Sequence, residues 1–189
     1  MPLTSSGLTL AIAGGLASVG LLGSATPQLA AGIANGLLIW LPQLTVQTVD
    51  AGSLGVGAGL LPLTIPLPLL LSNLLIAYAA NGQTGPSAPL EATGLANGLS
   101  VGLPQGSLVT THPGVGTGTG VARLTGPLAF PSLMQGFESA GIKGQGASLK
   151  ATAISTAFVA ILDAFQTPIP IVGSASPTSA GGTGFGKIL

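Results

Sequence analysis

Seven residues, GGTGFGK at Gly181–Lys187, have the spacing of a phosphate-binding loop up to its lysine. Such a loop turns backbone amides and a following helix N-terminus toward the anion, and a Ser or Thr after the lysine holds magnesium. Ile188 stands where the hydroxyl is needed and only Leu189 comes after it, so no anion site is expected there. His112 is the single histidine, and Asp50 holds nearly the same place before an earlier glycine-rich stretch. Brought together, the two could exchange a proton as an acid–base pair. Both also stand at the ends of candidate strands, where such side chains cap turns, and that structural role is the expectation. Glu91, Glu138 and Asp163 are too scattered to pair as glycosidase carboxylates or to gather a metal. HExxH is absent, and a chain without cysteine has no thiolate, disulfide or cysteine zinc site. The chemistry-bearing residues therefore predict a protein that is not an enzyme and needs no cofactor or metal.

The elements that would have to position these residues are unusual in composition. The 189 residues carry four Lys plus Arg and four Asp plus Glu, with 31 Gly and 15 Pro. Globular domains are about a quarter charged, and charge keeps isolated surfaces dispersed. So much uncharged surface predicts coverage by neighbouring protein or by lipid. A net charge of zero supplies little phosphate neutralisation, and Trp40, Tyr78 and the five Phe form no stacking series, so nucleic-acid binding is not expected. No Lys or Arg precedes Arg123, which leaves no basic n-region for a cleaved secretory leader.

Internal similarity is the main organising signal. GAGLLPLT at Gly57–Thr64 returns sixty-one residues later as GTGVARLT at Gly118–Thr125. GIANGL and LPQ within Gly32–Gln43 return at an offset of sixty-two as GLANGL and LPQ within Gly94–Gln105. We read three imperfect units of about 60 residues, 1–61, 62–123 and 124–189, integrated into one domain. Each is written as helix, turn, helix, extended arm and glycine loop. The expected fold is mainly α, with short β strands and long extended arms, and three copies invite a pseudo-threefold arrangement.

In unit one, Leu8–Leu22 is apolar or small on all faces, as in a buried or membrane helix. Thr26 and Pro27 are a cap and first-turn pair for a helix to Trp40, ended by Leu41 and Pro42. Alternation over Leu44–Asp50 predicts a strand, followed by a glycine loop over Gly52–Gly59. In unit two the prolines of Ile65–Leu71 predict an extended segment before a helix over Ser72–Ala80. Asn81–Gly85 is a turn, Ser107–His112 a strand and Pro113–Gly120 a second glycine loop. In unit three Pro131 is expected to open a helix ending near Gly141. Ser148 then caps Leu149–Phe165, with Ile154, Phe158, Ile161, Leu162 and Phe165 as its apolar stripe and Lys150, Thr152, Ser155, Thr156 and Asp163 opposite. Thr167–Gly173 reads as extended.

Gly57, Gly59, Gly118, Gly120, Gly184 and Gly186, with Pro168, Pro170 and Lys187 of the last arm, are the candidate assembly contacts. Since unit three has no following unit to enter, its end is expected to be completed by a neighbouring molecule. The competing reading is a membrane-interacting or pore-forming protein: Gly7–Ala25 holds nineteen uncharged residues, about the length a bilayer requires.

His112–Gly120 (HPGVGTGTG) and Pro168–Ile188 (PIPIVGSASPTSAGGTGFGKI) resemble segments of tailed-bacteriophage virion proteins of the tail and baseplate. That resemblance implies a scaffold located in the virion tail. Its partners would be further copies of itself and other structural proteins of the same assembly.

Overall fold

A computed structural model describes the side chains of residues 4–41, 43, 67–102 and 130–157, together with the backbone of the helices and strands named below. Six helices carry the chain: α1 (Ser5–Ser18), α2 (Thr26–Trp40), α3 (Leu67–Ala80), α4 (Ser87–Gly102), α5 (Gly126–Ser139) and α6 (Gln145–Ala164). Each packs on the next in sequence, and α6 packs back on α1, so the helices close into a ring. Two backbone strands follow each helix pair: β1 (Thr45–Ala51) and β2 (Val56–Leu60), β3 (Ser107–Thr111) and β4 (Gly116–Arg123), β5 (Ile171–Gly173) and β6 (Gly182–Lys187). Every neighbouring pair is antiparallel, and β6 pairs with β1, closing a six-stranded barrel.

Several local expectations are corrected. The helix expected over Leu8–Leu22 starts at Ser5, where Thr4 Oγ1 accepts the Gly7 amide at 3.2 Å, and stops at Ser18. Gly7–Ala25 is therefore not one span, and no helix among the described residues is long and apolar enough to cross a membrane. The segment read as extended up to Leu71 is helical from Leu67, because Pro68 falls in the first turn, where its missing N–H has no helical partner to lose. α5 begins at Gly126, five residues before Pro131, which sits inside the helix on an exposed side.

Helices α1, α3 and α5 end alike. Gly20, Gly82 and Gly141 have φ of 81°, 79° and 84°, a left-handed conformation that side chains with a Cβ resist. The residues that follow donate back five positions: Leu21 N–H to Leu16 O at 3.0 Å, Gln83 to Tyr78 at 2.8 Å and Ile142 to Phe137 at 2.9 Å. These bonds satisfy carbonyls that the helix end would otherwise leave unpaired.

The core lies inside the helix ring. Ile12 and Leu16 on α1, Leu74 and Tyr78 on α3, and Leu133 and Phe137 on α5 are all buried i, i+4 pairs. They meet small residues on the preceding helix of the ring. A Cβ added to Gly36 would lie 3.0 Å from Leu74 Cα, and one added to Gly98 would lie 2.7 Å from Leu133 Cα. At the third such seam, Gly15 of α1 is pressed against the Ala153 backbone of α6. Small residues four apart, Gly32 with Gly36, Gly94 with Gly98, and Ala153 with Ala157, thus let the backbones approach closely enough to bury the facing pair.

The stripe expected on α6 is also revised. Ile154 is buried as expected, but so are Ala147, Ala151, Ala153, Ser155 and Ala157, with the Ser155 hydroxyl donating to Thr152 O at 3.0 Å. A helix wedged between α5 and α1 is covered on two sides, so a small residue buries more readily than a stripe analysis of one face suggests. Phe158, Ile161, Leu162 and Asp163 belong to α6, but their side chains, and Phe165, lie outside the described residues.

Candidate functional site

Asp50, Glu91, Glu138 and Asp163 stand on four different elements, β1, α4, α5 and α6. Asp50 is in β1, paired with Gly57 of β2 and Gly182 of β6, while His112 lies outside the described residues. Glu138 is exposed on α5. The phosphate-loop candidate is extended over Gly182–Lys187 as β6, a backbone that does not curl its amides around an anion.

The candidate contact glycines are strand residues and not loop residues. Gly57 and Gly59 stand in β2, Gly118 and Gly120 in β4, and Gly184, Gly186 and Lys187 in β6. Their cross-strand partners place the glycines on one face of the barrel. Gly57 is opposite Asp50 and Thr110, Gly120 opposite Thr110, and Gly184 opposite both Thr48 and Gly173. A glycine at every second position removes side-chain bulk from that face while keeping the ladder hydrogen bonds. Alternate glycines read as a loop because glycine is depleted in strands; the signal that could have separated the two was their strict period of two. Pro168 and Pro170 lie outside the described residues. Both edges of β6 are occupied, by β5 and by β1 of the same chain, so the end expected to await a neighbouring molecule is completed internally.

One feature was not expected from sequence. Near the first turns of α4 and α6, Glu91 Oε1 accepts a charge-assisted hydrogen bond from Lys150 Nζ. The pair faces a pocket of 490 Å³, walled by Leu16, Leu21, Leu22 and Leu29 with Thr26 and Gln83 at its rim. Leu29 of α2 lines the same pocket, and the ion pair joins α4 to α6. Burial of Tyr78 pushes its phenol far above the usual tyrosine range, and the Glu91 charge adds to the shift.

Among the described residues no group of three or more His, Asp or Glu could hold a metal. The pocket joins apolar walls to one satisfied ion pair and holds neither a nucleophile–base pair nor an unpaired charge. Comparisons with protein families, curated proteins and solved structures find no match for this chain.

Proposed function

We propose that the chain is three copies of one helix-pair and strand-pair unit, closed on a pseudo-threefold axis. We further propose that it serves as a structural component of a large symmetric assembly, a tail or baseplate part of a tailed-phage virion. It would act by protein contacts, with further copies or other structural proteins as partners, and without catalysis.

The observation that carries this reading is the correspondence of burial at equivalent positions. Leu8 and Leu70, Gly15, Ala77 and Gly136, and Ala30, Ala92 and Ala151 are all buried, and the three turn glycines are all exposed. Such agreement follows when one unit packs the same way three times. The paucity of charge supports coverage by neighbours, as do exposed Leu10, Leu22, Ile39 and Ile76, all more than half exposed.

The test is fractionation of the protein expressed alone and with the other structural proteins of its source particle. Incorporation into particles, with aqueous or partner-rescued protein otherwise, supports the proposal. Release only by detergent, with no particle incorporation, favours the membrane reading instead.

A further inference from the structure

If the chain is an assembly component, its shape restricts the partner. The sheet has no free edge, because β1 and β6 pair with each other, so β-strand addition by a neighbour is not available. Contact must be made on the outer wall or at an end. The outer wall is not threefold in shape: Gly14, Ile76 and Gln135 are equivalent and exposed, yet differ greatly in size. The end formed by the helix turns carries the same opening glycine conformation and closing hydrogen bond three times. Gly20–Gly23, Gly82–Gly85 and Gly141–Gly144 are three four-residue turns, each opening on a left-handed glycine, each closed by the same backward hydrogen bond, and each exposed apart from one half-buried residue.

From this we infer that one copy of the chain sits coaxially on a homotrimeric protein, its three glycine turns meeting the same surface on each of three subunits. The inference rests on the assembly reading above. Side chains at the turns have diverged, with Leu22, Thr84 and Lys143 at one equivalent position, while the left-handed glycine that opens each turn and the bond that closes it have not. Recognition through turn backbone and shape tolerates that divergence, since each subunit can meet the same N–H and C=O groups. A monomer that presents three equal surfaces occupies a threefold axis once, at a ratio of one to three, where three separate copies would compete for the centre.

The test places a photo-crosslinking amino acid at Leu22, Thr84 or Lys143, one per variant, in the full chain incorporated into its native particle. Cross-linked peptides and copy numbers are read by quantitative mass spectrometry. All three variants are expected to capture the same peptide of a single protein, present at about three copies for each copy of this chain. Capture of three different peptides, of another copy of this chain, or of a partner at equal copy number overturns the inference and leaves the assembly reading standing. Absence of the chain from every particle overturns both.

Discussion

At the scale of single residues, the helix seams depend on atoms that are missing. At Gly98 an added methyl would come within 2.7 Å of Leu133 Cα and 3.0 Å of Ser132 O, both slow to yield because both are backbone atoms of α5. Gly98→Ala should therefore cost about 1–3 kcal/mol in urea unfolding, as overpacking does. Gly14→Ala, where nothing lies within 4 Å, should stabilise by about 0.5–1 kcal/mol, because the helix gains an alanine without a clash. Equal effects at the two sites would contradict the seam geometry. Tyr78 gives a pH signature. Its folded pKa is raised by burial first and by Glu91 second, so the neutral phenol is favoured in the folded state. The unfolded chain loses that proton above about pH 10, and from there stability should fall by about 1.4 kcal/mol per pH unit, while below it the contribution is fully present. As the single tyrosine, Tyr78 should show no phenolate absorbance until alkaline unfolding, and Tyr78→Phe should remove the slope.

At the scale of elements, each helix pair is held by its turn as well as by its seam. Gly82 adopts φ of 79°, and the 2.8 Å bond from Gln83 to Tyr78 O depends on that conformation. Gly82→Ala should cost about 1–2 kcal/mol, although nothing lies near the added methyl, because the strain is in the backbone. Thermal unfolding would show it as a lowered midpoint with an unchanged helical spectrum. Asn81–Gly85 was legible as a turn because Gly82, Gly85 and Pro86 cluster there; Asn-Gly alone does not suffice, since Asn35-Gly36 and Asn97-Gly98 lie inside α2 and α4. The start of α3 was not legible, since two prolines two residues apart suit an extended chain equally well until Leu70 and Leu74 find Gly36 across the seam.

At the scale of the whole molecule, closure sets the stability. Two contacts, α6 on α1 and β6 on β1, join the first helix and strand to the last without a covalent link. Removing Pro168–Leu189 deletes β5 and β6 and leaves β1 and β4 with open edges, but takes no helix residue. Far-UV circular dichroism should retain the helical signal, while the truncated protein should self-associate in sedimentation through its new strand edges. A helical signal lost with the tail would mean that the ring cannot hold without the barrel.

What the sequence by itself determined is local: the helix running from Thr26-Pro27 to Trp40, the turn at Asn81–Gly85 and the strand written in the alternation over Leu44–Asp50. It also carried the small-residue spacing of GIANGL and GLANGL, though not what that spacing was for. Only the tertiary structure decided that Gly57, Gly59, Gly118, Gly120, Gly184 and Gly186 are strand residues, that β1 completes β6, and that Glu91 meets Lys150 across fifty-nine residues. The reason is physical. Helix starts and turns are settled by a few neighbouring dihedrals, whereas a strand rich in glycine has no local preference for its state and becomes one only when hydrogen-bonding partners on both sides are supplied by distant chain.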